Sequence, residues 1–238
     1  MKMRQIIAMG GGGFSMEPEN LLLDQYITGQ SQNKKPKICF LPTASGDQQN
    51  YIDRFYEAFE KMECIPAHLS LFEPNFNDAE EFLLGQDIIY VGGGNTRNMM
   101  ILWKEWGLDK LLLKCYQKAI ILAGISAGSI CWFEEGLTDP LNGPLYPIKG
   151  LGILKGSHCP HYDGENKRKP AYRKYIREAL MKPGYAADDG AALHFVDGSL
   201  YQTVCSRRNA SAYYVEVNDN KAEETRLDCI YLADLSYT

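Results

Sequence analysis

The chain has 238 residues, a length that predicts one large domain or two small ones with enough residues for a substantial core. Its composition, 45% hydrophobic and 23% charged, excludes collagen-like, coiled-coil and disordered proteins. Lysine and arginine together number 25 against 30 acidic residues, and this net charge of −5 argues against a nucleic-acid partner.

The predicted elements begin with short apolar runs that end in glycine or proline and alternate with segments of helical spacing. This alternation predicts an α/β fold, with a mostly parallel sheet flanked by helices on both faces. The predicted strands are Gln5–Met9, Lys37–Leu41, Asp87–Val91 and Ala119–Ile125. Helical spacing is shown by Ile52, Phe55, Tyr56 and Phe59, and again by Leu108, Leu111, Leu112 and Cys115.

The pattern changes after Ser126. Residues 136–164 are turn-rich, and helical spacing returns from Ala171 to Leu180. Turn residues then separate three further strands, which predicts C-terminal β-hairpins; the strands are Ala192–Val196, Leu200–Cys205 and Ala212–Val217. Because no linker or repeat interrupts the chain, we predict a single domain over residues 1–238.

The seven cysteines are scattered and none forms a CxxC pair, so the sequence suggests neither a disulfide framework nor a structural zinc site. The apolar run before the first glycines is too short for a signal peptide, and no run is long enough to cross a membrane. We therefore expect a cytoplasmic protein with no membrane partner.

Four consecutive glycines, residues 10–13, follow the first strand. Their amides could approach a phosphate at a helix that begins near Glu17, or they could simply form a tight turn. Glu17 and Glu19 place negative charge where a phosphate would lie, and no Walker lysine follows. The turn is the favoured interpretation.

The strongest chemical signal is GxSxG at residues 124–128, between a predicted strand and a helix. A sharp turn there raises the Ser126 hydroxyl above the sheet edge, and the Ala127 amide can donate to an oxyanion. The alternative is a plain turn in which Ser126 caps the helix. A second glycine cluster at residues 92–96 ends at the same edge, where Gly94 either supplies a second oxyanion amide or only turns the chain.

A serine nucleophile needs a base, and we assign structural roles to His68 and His194. His158 and His161 lie in the turn-rich segment, where a loop can carry an imidazole over the sheet edge. As a metal chelate this pair lacks a third and fourth ligand, so we expect no metal. A carboxylate must then orient the imidazole. Asp189 and Asp139 are both candidates, and solvated acidic turns are the alternative for each.

Four motifs occur in a fixed order: VGGGNT at 91–96, GxSAG at 124–128, Pro160-His161 and Asp189-Gly190. In this order they resemble the peptidase E family of serine peptidases, the aspartyl dipeptidases, over most of the chain. The GGGGFSMEP opening resembles the uncharacterised Bacillus and Listeria group of that family.

The resemblance implies a class I glutamine-amidotransferase-like fold in which serine replaces the usual cysteine of the sharp turn. It implies that Ser126 is the nucleophile and His161 its base. It further implies that Gly94 and Ala127 donate the oxyanion amides. Two family positions have been considered for the acid; Asp189 matches one of them, and we choose it over Asp139, which lies near the other.

Two positions depart from the family pattern. Ser129 stands where alanine usually follows the motif, a change expected to affect only local hydrogen bonds. Tyr172 stands about where the family carries an arginine that pairs with the substrate carboxylate. Arg168 and Arg173 are the nearby candidates to replace it, so we assign substrate binding to these three residues and leave the aspartyl preference open.

We therefore expect a serine-dependent hydrolase of short peptides, dipeptidase-like, that uses a Ser-His-Asp triad and no cofactor. Two alternatives share the same turn: an α/β-hydrolase-type esterase, and a non-catalytic protein that binds an acidic peptide or metabolite. An exposed sheet edge after the hairpins suggests a homodimer.

Overall fold

An eight-stranded sheet forms the centre of the computed structural model, which describes residues 2–74, 76–139 and 143–235. Its neighbouring strands run parallel except where β10 pairs with β1 and with β11. In spatial order, with numbers assigned along the chain, the strands are β14 (Cys229–Tyr231), β11 (Ser199–Cys205), β10 (Ala191–Val196), β1 (Gln5–Met9), β5 (Ile121–Ile125), β4 (Ile88–Val91), β2 (Lys37–Leu41) and β3 (Ile65–His68).

Alternate residues of the central strands enter two separate cores, one on each face of the sheet. In β1, Ile6 and Ala8 belong to one core and Ile7 and Met9 to the other, and all four are fully buried. Burial on both faces explains why these strands are continuous apolar runs in the sequence. One face is covered by α1 (Gly13–Met16), α2 (Leu22–Gly29) and α3 (Gln49–Phe59), and the other by α4 (Ala79–Leu84), α5 (Thr96–Trp106) and α6 (Leu108–Gln117).

A second sheet of six strands packs against the face that carries α5 and α6. It includes both parallel and antiparallel pairs, and α8 (Arg168–Arg177) packs on it through Tyr172 and Ile176. Its order is β13 (Lys221–Leu227), β12 (Ala212–Asn218), β9 (Gly184–Ala187), β8 (Leu154–Cys159), β6 (Phe133–Thr138) and β7 (Tyr146–Lys149). The short helix α7 (Ala127–Ile130) joins β5 to this sheet.

The predicted α/β class is confirmed, as are the flanking helices and the C-terminal hairpins β10–β11 and β12–β13. Residues 136–164, which were expected to be turn-rich, contain the last three residues of β6 and all of β7 and β8, so this stretch has more strand than predicted. Polar side chains and glycine interrupt these three strands, so they lack the apolar continuity of the central ones. The helix expected near Glu17 instead begins at Gly13, and Glu17 follows its end.

Three short 3₁₀ helices complete the described elements: Thr43–Ser45, Glu60–Met62 and Leu232–Asp234. Within the described ranges, no helix is both long and apolar enough to span a bilayer.

Candidate active site

Ser126 occupies a sharp turn between β5 and α7, with a backbone φ of 56°. This is a left-handed conformation that non-glycine residues adopt at a cost in energy and that clusters at functional sites. The flanking glycines are required by close backbone approach. A Cβ on Gly124 would lie 2.1 Å from the Gly128 carbonyl oxygen, and one on Gly128 would lie 2.1 Å from that of Val91. The backbone thus holds the serine side chain at the carboxyl end of β5.

The end of β1 holds all three members of the predicted triad through its backbone. The Ser126 amide donates to the Met9 carbonyl (3.3 Å), and the His161 amide donates to the Gly10 carbonyl (3.2 Å). Gly11 then forms a parallel bridge with Asp189. Three consecutive residues therefore position three side chains that are far apart in sequence. The first glycines thus position residues of the predicted triad, a role that neither sequence interpretation of them, a tight turn or a phosphate loop, included.

His161 and Asp189 form a close pair, with 2.6 Å between Nδ1 and Oδ1. Both side chains are largely buried, at 13% exposed. A Cβ on Gly11 would lie 2.0 Å from Asp189 Oδ1, so the glycine makes room for this pair. Burial acts to raise the pKa of Asp189, but the hydrogen bond and charge of His161, with Arg207 nearby, leave it below the ordinary value. The carboxylate is therefore ionised and able to orient the ring.

Ser126 and His161 line the same pocket, which has a volume of about 500 Å³. Gly93 and Gly94 also line it, at the end of β4. Gly93 lies against the serine, since a Cβ placed on it would be 3.9 Å from Ser126 Oγ. The Gly93 amide donates to the Tyr51 hydroxyl (3.2 Å), which leaves the Gly94 amide as the candidate donor to a ligand in this loop.

His158 contacts the first turn of α7, which follows Ser126, from the side of the second sheet. It is fully buried in β8 and does not lie in a loop as the sequence analysis expected. Its Nε2 lies 3.0 Å from Ser129 Oγ, and its Nδ1 lies 3.2 Å from the Tyr185 carbonyl oxygen. Burial lowers the pKa of His158 to about 3, so the ring is neutral and carries one proton.

That single proton can be assigned from the partners of the ring. The Tyr185 carbonyl only accepts, so Nδ1 carries the hydrogen and Nε2 accepts from the Ser129 hydroxyl. The Ser126 carbonyl, 2.8 Å from Ser129 Oγ, does not need that hydroxyl, since it already accepts the amides of Ser129 and Ile130 at 2.9 and 3.0 Å. Ser129 is thus a link between α7 and the second sheet.

A second buried carboxyl, that of Asp24, lies next to Gly13 at the end of the glycine run 10–13. Its Oδ2 accepts the Phe14 amide at 2.7 Å, and both of its oxygens lie 2.9 Å from the position of a Cβ on Gly13. Complete burial raises the pKa of Asp24 to about 7. Asp24 is therefore protonated in weakly acidic solution, whereas Asp189 is ionised.

The residues assigned to substrate binding lie outside the pocket. Arg168 is buried and bound by the Leu137 carbonyl (3.0 Å) and by Glu165 (2.7 Å). Tyr172 is also buried, and its hydroxyl lies 2.7 Å from Ser157 Oγ. Arg173 donates to the Ala222 carbonyl and faces a separate groove of about 640 Å³.

The rival acid, Asp139, lies 3.4 Å from an Arg168 nitrogen and not beside a histidine. The structure thus brings Ser126, His161 and Asp189 together with Gly94 and Ala127, and separates Asp139 from them. The sequence analysis missed one charged residue of the pocket, Arg54 on α3. It lies on the exposed side of a helix whose apolar spacing was the only signal considered.

The sequence model of peptidase family S51 matches residues 6–203. The chain belongs to peptidase family S51. It is therefore a serine peptidase by family, and the resemblance to peptidase E is confirmed. An uncharacterised peptidase of Bacillus subtilis, YgaJ, is 59% identical over 230 residues, which cover 97% of this chain and all of the relative. The uncharacterised Listeria innocua peptidase Lin0382 is 30% identical over 61% of this chain and 75% of its own length.

Two solved structures share the fold at 17% sequence identity each. A peptidase from an acI-B1 actinobacterium superposes with a TM-score of 0.66 and covers 95% of both chains. A putative peptidase E protein from Listeria monocytogenes superposes with a TM-score of 0.56 and covers 95% of this chain and all of its own.

Proposed function

We propose that this S51 member hydrolyses short peptides with a Ser126-His161-Asp189 triad. One observation carries the proposal: Ser126, in a left-handed turn, shares a pocket with an imidazole whose other nitrogen is bound by an ionised carboxylate. The pocket volume of about 500 Å³ suits a substrate of dipeptide size, and we include peptides with N-terminal aspartate among its substrates.

The roles follow from the hydrogen bonds of His161. Because Nδ1 is bound to Asp189, Nε2 is the nitrogen that accepts the proton of Ser126 as the oxygen attacks the scissile carbonyl. The imidazolium formed is stabilised by the Asp189 carboxylate and then protonates the leaving amine. A water molecule then attacks the carbonyl of the acyl-enzyme, with His161 again as the base, and releases the product acid and Ser126.

The oxyanion is assigned to two backbone amides. Ala127 follows the nucleophile at the start of α7, and Gly94 follows the glycine that touches the serine. Fixed amides of this kind stabilise the charge that develops on the carbonyl oxygen without reorganising during the reaction.

The test uses Ser126→Ala, with Ser199→Ala as the matched control, since Ser199 is an exposed serine of β11. Dipeptides that differ in their N-terminal residue serve as substrates, and a fluorophosphonate serves as the serine-directed probe. We expect the natural chain and Ser199→Ala to hydrolyse at least one dipeptide and to be labelled at Ser126. Ser126→Ala should lose both properties and keep its thermal unfolding midpoint.

Three results would contradict the proposal. Hydrolysis retained by Ser126→Ala would remove the serine from the reaction. A folded natural chain that neither reacts with the probe nor cleaves any dipeptide would instead indicate a binding protein on a peptidase fold. Labelling by the probe together with hydrolysis of simple esters, but of no peptide, would indicate an esterase.

We also propose that the enzyme works in the cytoplasm. All seven cysteines are free thiols, and six are buried, which suits a reducing compartment.

A further inference from the structure

Arg54 carries the only formal charge besides the titratable His161 among the described residues that line the Ser126 pocket. The rest of the lining comes from uncharged side chains and glycine backbone, and it includes no carboxylate. A pocket with a fixed positive charge and no acidic wall attracts a negatively charged group of the ligand.

Three contacts hold the Arg54 side chain in place. Its Nη1 donates to the Ser15 carbonyl (3.1 Å), its Nε lies 3.4 Å from the Asn50 carbonyl, and its guanidinium lies 5.2 Å from the centre of the Tyr51 ring. These partners are uncharged, so they orient the guanidinium without neutralising it. Within the described part of the chain, Arg54 forms no ion pair.

The two arginines considered for substrate binding, and Arg207 near Asp189, are engaged elsewhere. Arg168 is buried against Glu165 and Asp139, and Arg207 pairs with Glu17. Arg173 faces the separate groove on α8. Arg54 is therefore the arginine whose charge is both available and located in the pocket of the serine.

We propose that Arg54 is the specificity-determining residue of the site and that it binds a free carboxylate of the peptide substrate. The guanidinium fork matches a carboxylate and can donate two parallel hydrogen bonds to it. This inference rests on the proposed peptidase function. The carboxylate has two sources in a short peptide, the side chain of an N-terminal aspartate and the C-terminus, and the same chemistry recognises either.

Four peptides separate the two sources: Asp-Ala, Asn-Ala, Asp-Ala-amide and Asn-Ala-amide. The amides and asparagine are nearly isosteric with the groups they replace but carry no charge. The variants are Arg54→Gln, which removes the charge, and Arg54→Lys, which keeps the charge but not the fork. Arg97→Gln is the matched control, since Arg97 lies on α5 and lines a different groove.

We expect Arg54→Gln to raise KM about 10- to 100-fold for substrates that carry the recognised carboxylate, with kcat nearly unchanged. If the aspartate side chain is recognised, KM should rise for Asp-Ala and Asp-Ala-amide and stay unchanged for the two asparagine peptides. If the C-terminus is recognised, KM should rise for Asp-Ala and Asn-Ala and stay unchanged for the two amides. Arg54→Lys should fall between the natural chain and Arg54→Gln, and Arg97→Gln should match the natural chain.

Equal losses on all four peptides, or no loss on any, would overturn the inference. Binding of the same peptides to Ser126→Ala, measured by calorimetry with and without Arg54→Gln, separates its failure from that of the proposed function. Carboxylate binding that depends on Arg54 without turnover by the natural chain would overturn the peptidase proposal and support the role of Arg54. Turnover by the natural chain, with peptide binding that does not depend on Arg54, would support the peptidase proposal and overturn the role of Arg54.

Discussion

Titratable groups lie on two sides of the loops at the carboxyl edge of the sheet, and those on the two sides differ in charge. On the pocket side, Asp189 keeps its pKa below the ordinary value because its hydrogen bond with His161 outweighs burial. On the core side, burial raises the pKa of Asp24 to about 7 and lowers that of His158 to about 3. Burial alone favours the neutral form of a group, whereas a hydrogen bond that stabilises the charged form keeps it ionised.

Under the proposed function, this difference separates the groups that take part in the reaction from those that hold them in place. The pocket side contains an imidazole bound by a carboxylate, an arrangement that can accept and return a proton. The core side contains an imidazole bound by a hydroxyl and a carbonyl, which has no stabilising charge for an imidazolium. Substitutions on the two sides should therefore differ in what they change.

The largest effect is expected for His161→Gln. Removal of the proposed base should lower kcat about 10³- to 10⁵-fold with little change in the unfolding midpoint. Steady-state hydrolysis of the best dipeptide and fluorophosphonate labelling of Ser126 should fall together. Activity within tenfold of the natural chain would show that the base is another group.

Asp189→Asn should follow, with a loss in kcat of about 10²- to 10⁴-fold, because the amide neither orients the ring correctly nor stabilises its cation. Asp139→Asn is the matched comparison between the two candidate acids. It should change kcat less than threefold, since Asp139 contacts Arg168 and no histidine. The opposite ranking of the two variants would move the acid of the triad to Asp139.

On the core side, Asp24→Asn should change the pH dependence of stability. Burial raises the pKa of Asp24 in the folded state to about 7, well above its ordinary value of 3.8, so the unfolded state loses this proton at lower pH. The free energy of unfolding of the natural chain should therefore fall as pH rises from about 4 to 7, by on the order of 4 kcal/mol from this group. Asparagine does not titrate, and its curve should lack that decline.

Urea unfolding of both proteins at pH 4.5, 6 and 8 measures this difference and cancels the contributions of other groups. The variant should gain stability relative to the natural chain as pH rises. Parallel curves for the two proteins would show that Asp24 is ionised in the folded state throughout this range.

The smallest effect on turnover is expected for Ser129→Ala. The change leaves the buried Nε2 of His158 without its donor, which costs about 1–3 kcal/mol of stability. The rate should fall less than tenfold and its pH profile should keep its shape, because His158 takes no proton in the reaction. A shifted pH profile would place His158 in the catalytic proton transfer.

The sequence predicted the parts of the fold whose physical signal is local. The central strands are buried on both faces, so each contains a continuous apolar run such as Ile38–Leu41 in β2. Most strands of the second sheet were missed, although Ala212–Val217 was predicted, because strands such as Leu154–Cys159 mix exposed, glycine and buried polar positions. A histidine in that strand, His158, therefore looked like part of a loop.

The proposed catalytic residues could be selected from motif order, because GxSxG and the glycine clusters end strands at one sheet edge. The substrate-binding residues could not. Arg168 and Tyr172 lie on α8, whose packing against the second sheet buries both, and Ala212–Val217 alone of that sheet was predicted from the sequence. Arg54 shares a helix with Ile52 and Phe55, and its exposed position resembled an ordinary solvated face.

The backbone of Met9, Gly10 and Gly11 contacts residues 126, 161 and 189 in turn, which has a consequence for biosynthesis. During translation, β1 leaves the ribosome first and Asp189, the last member of the proposed triad, long afterwards. A chain released only as far as Ser126 lacks the carboxylate of that triad. If the proposed triad is correct, peptidase activity requires synthesis to continue at least to residue 189.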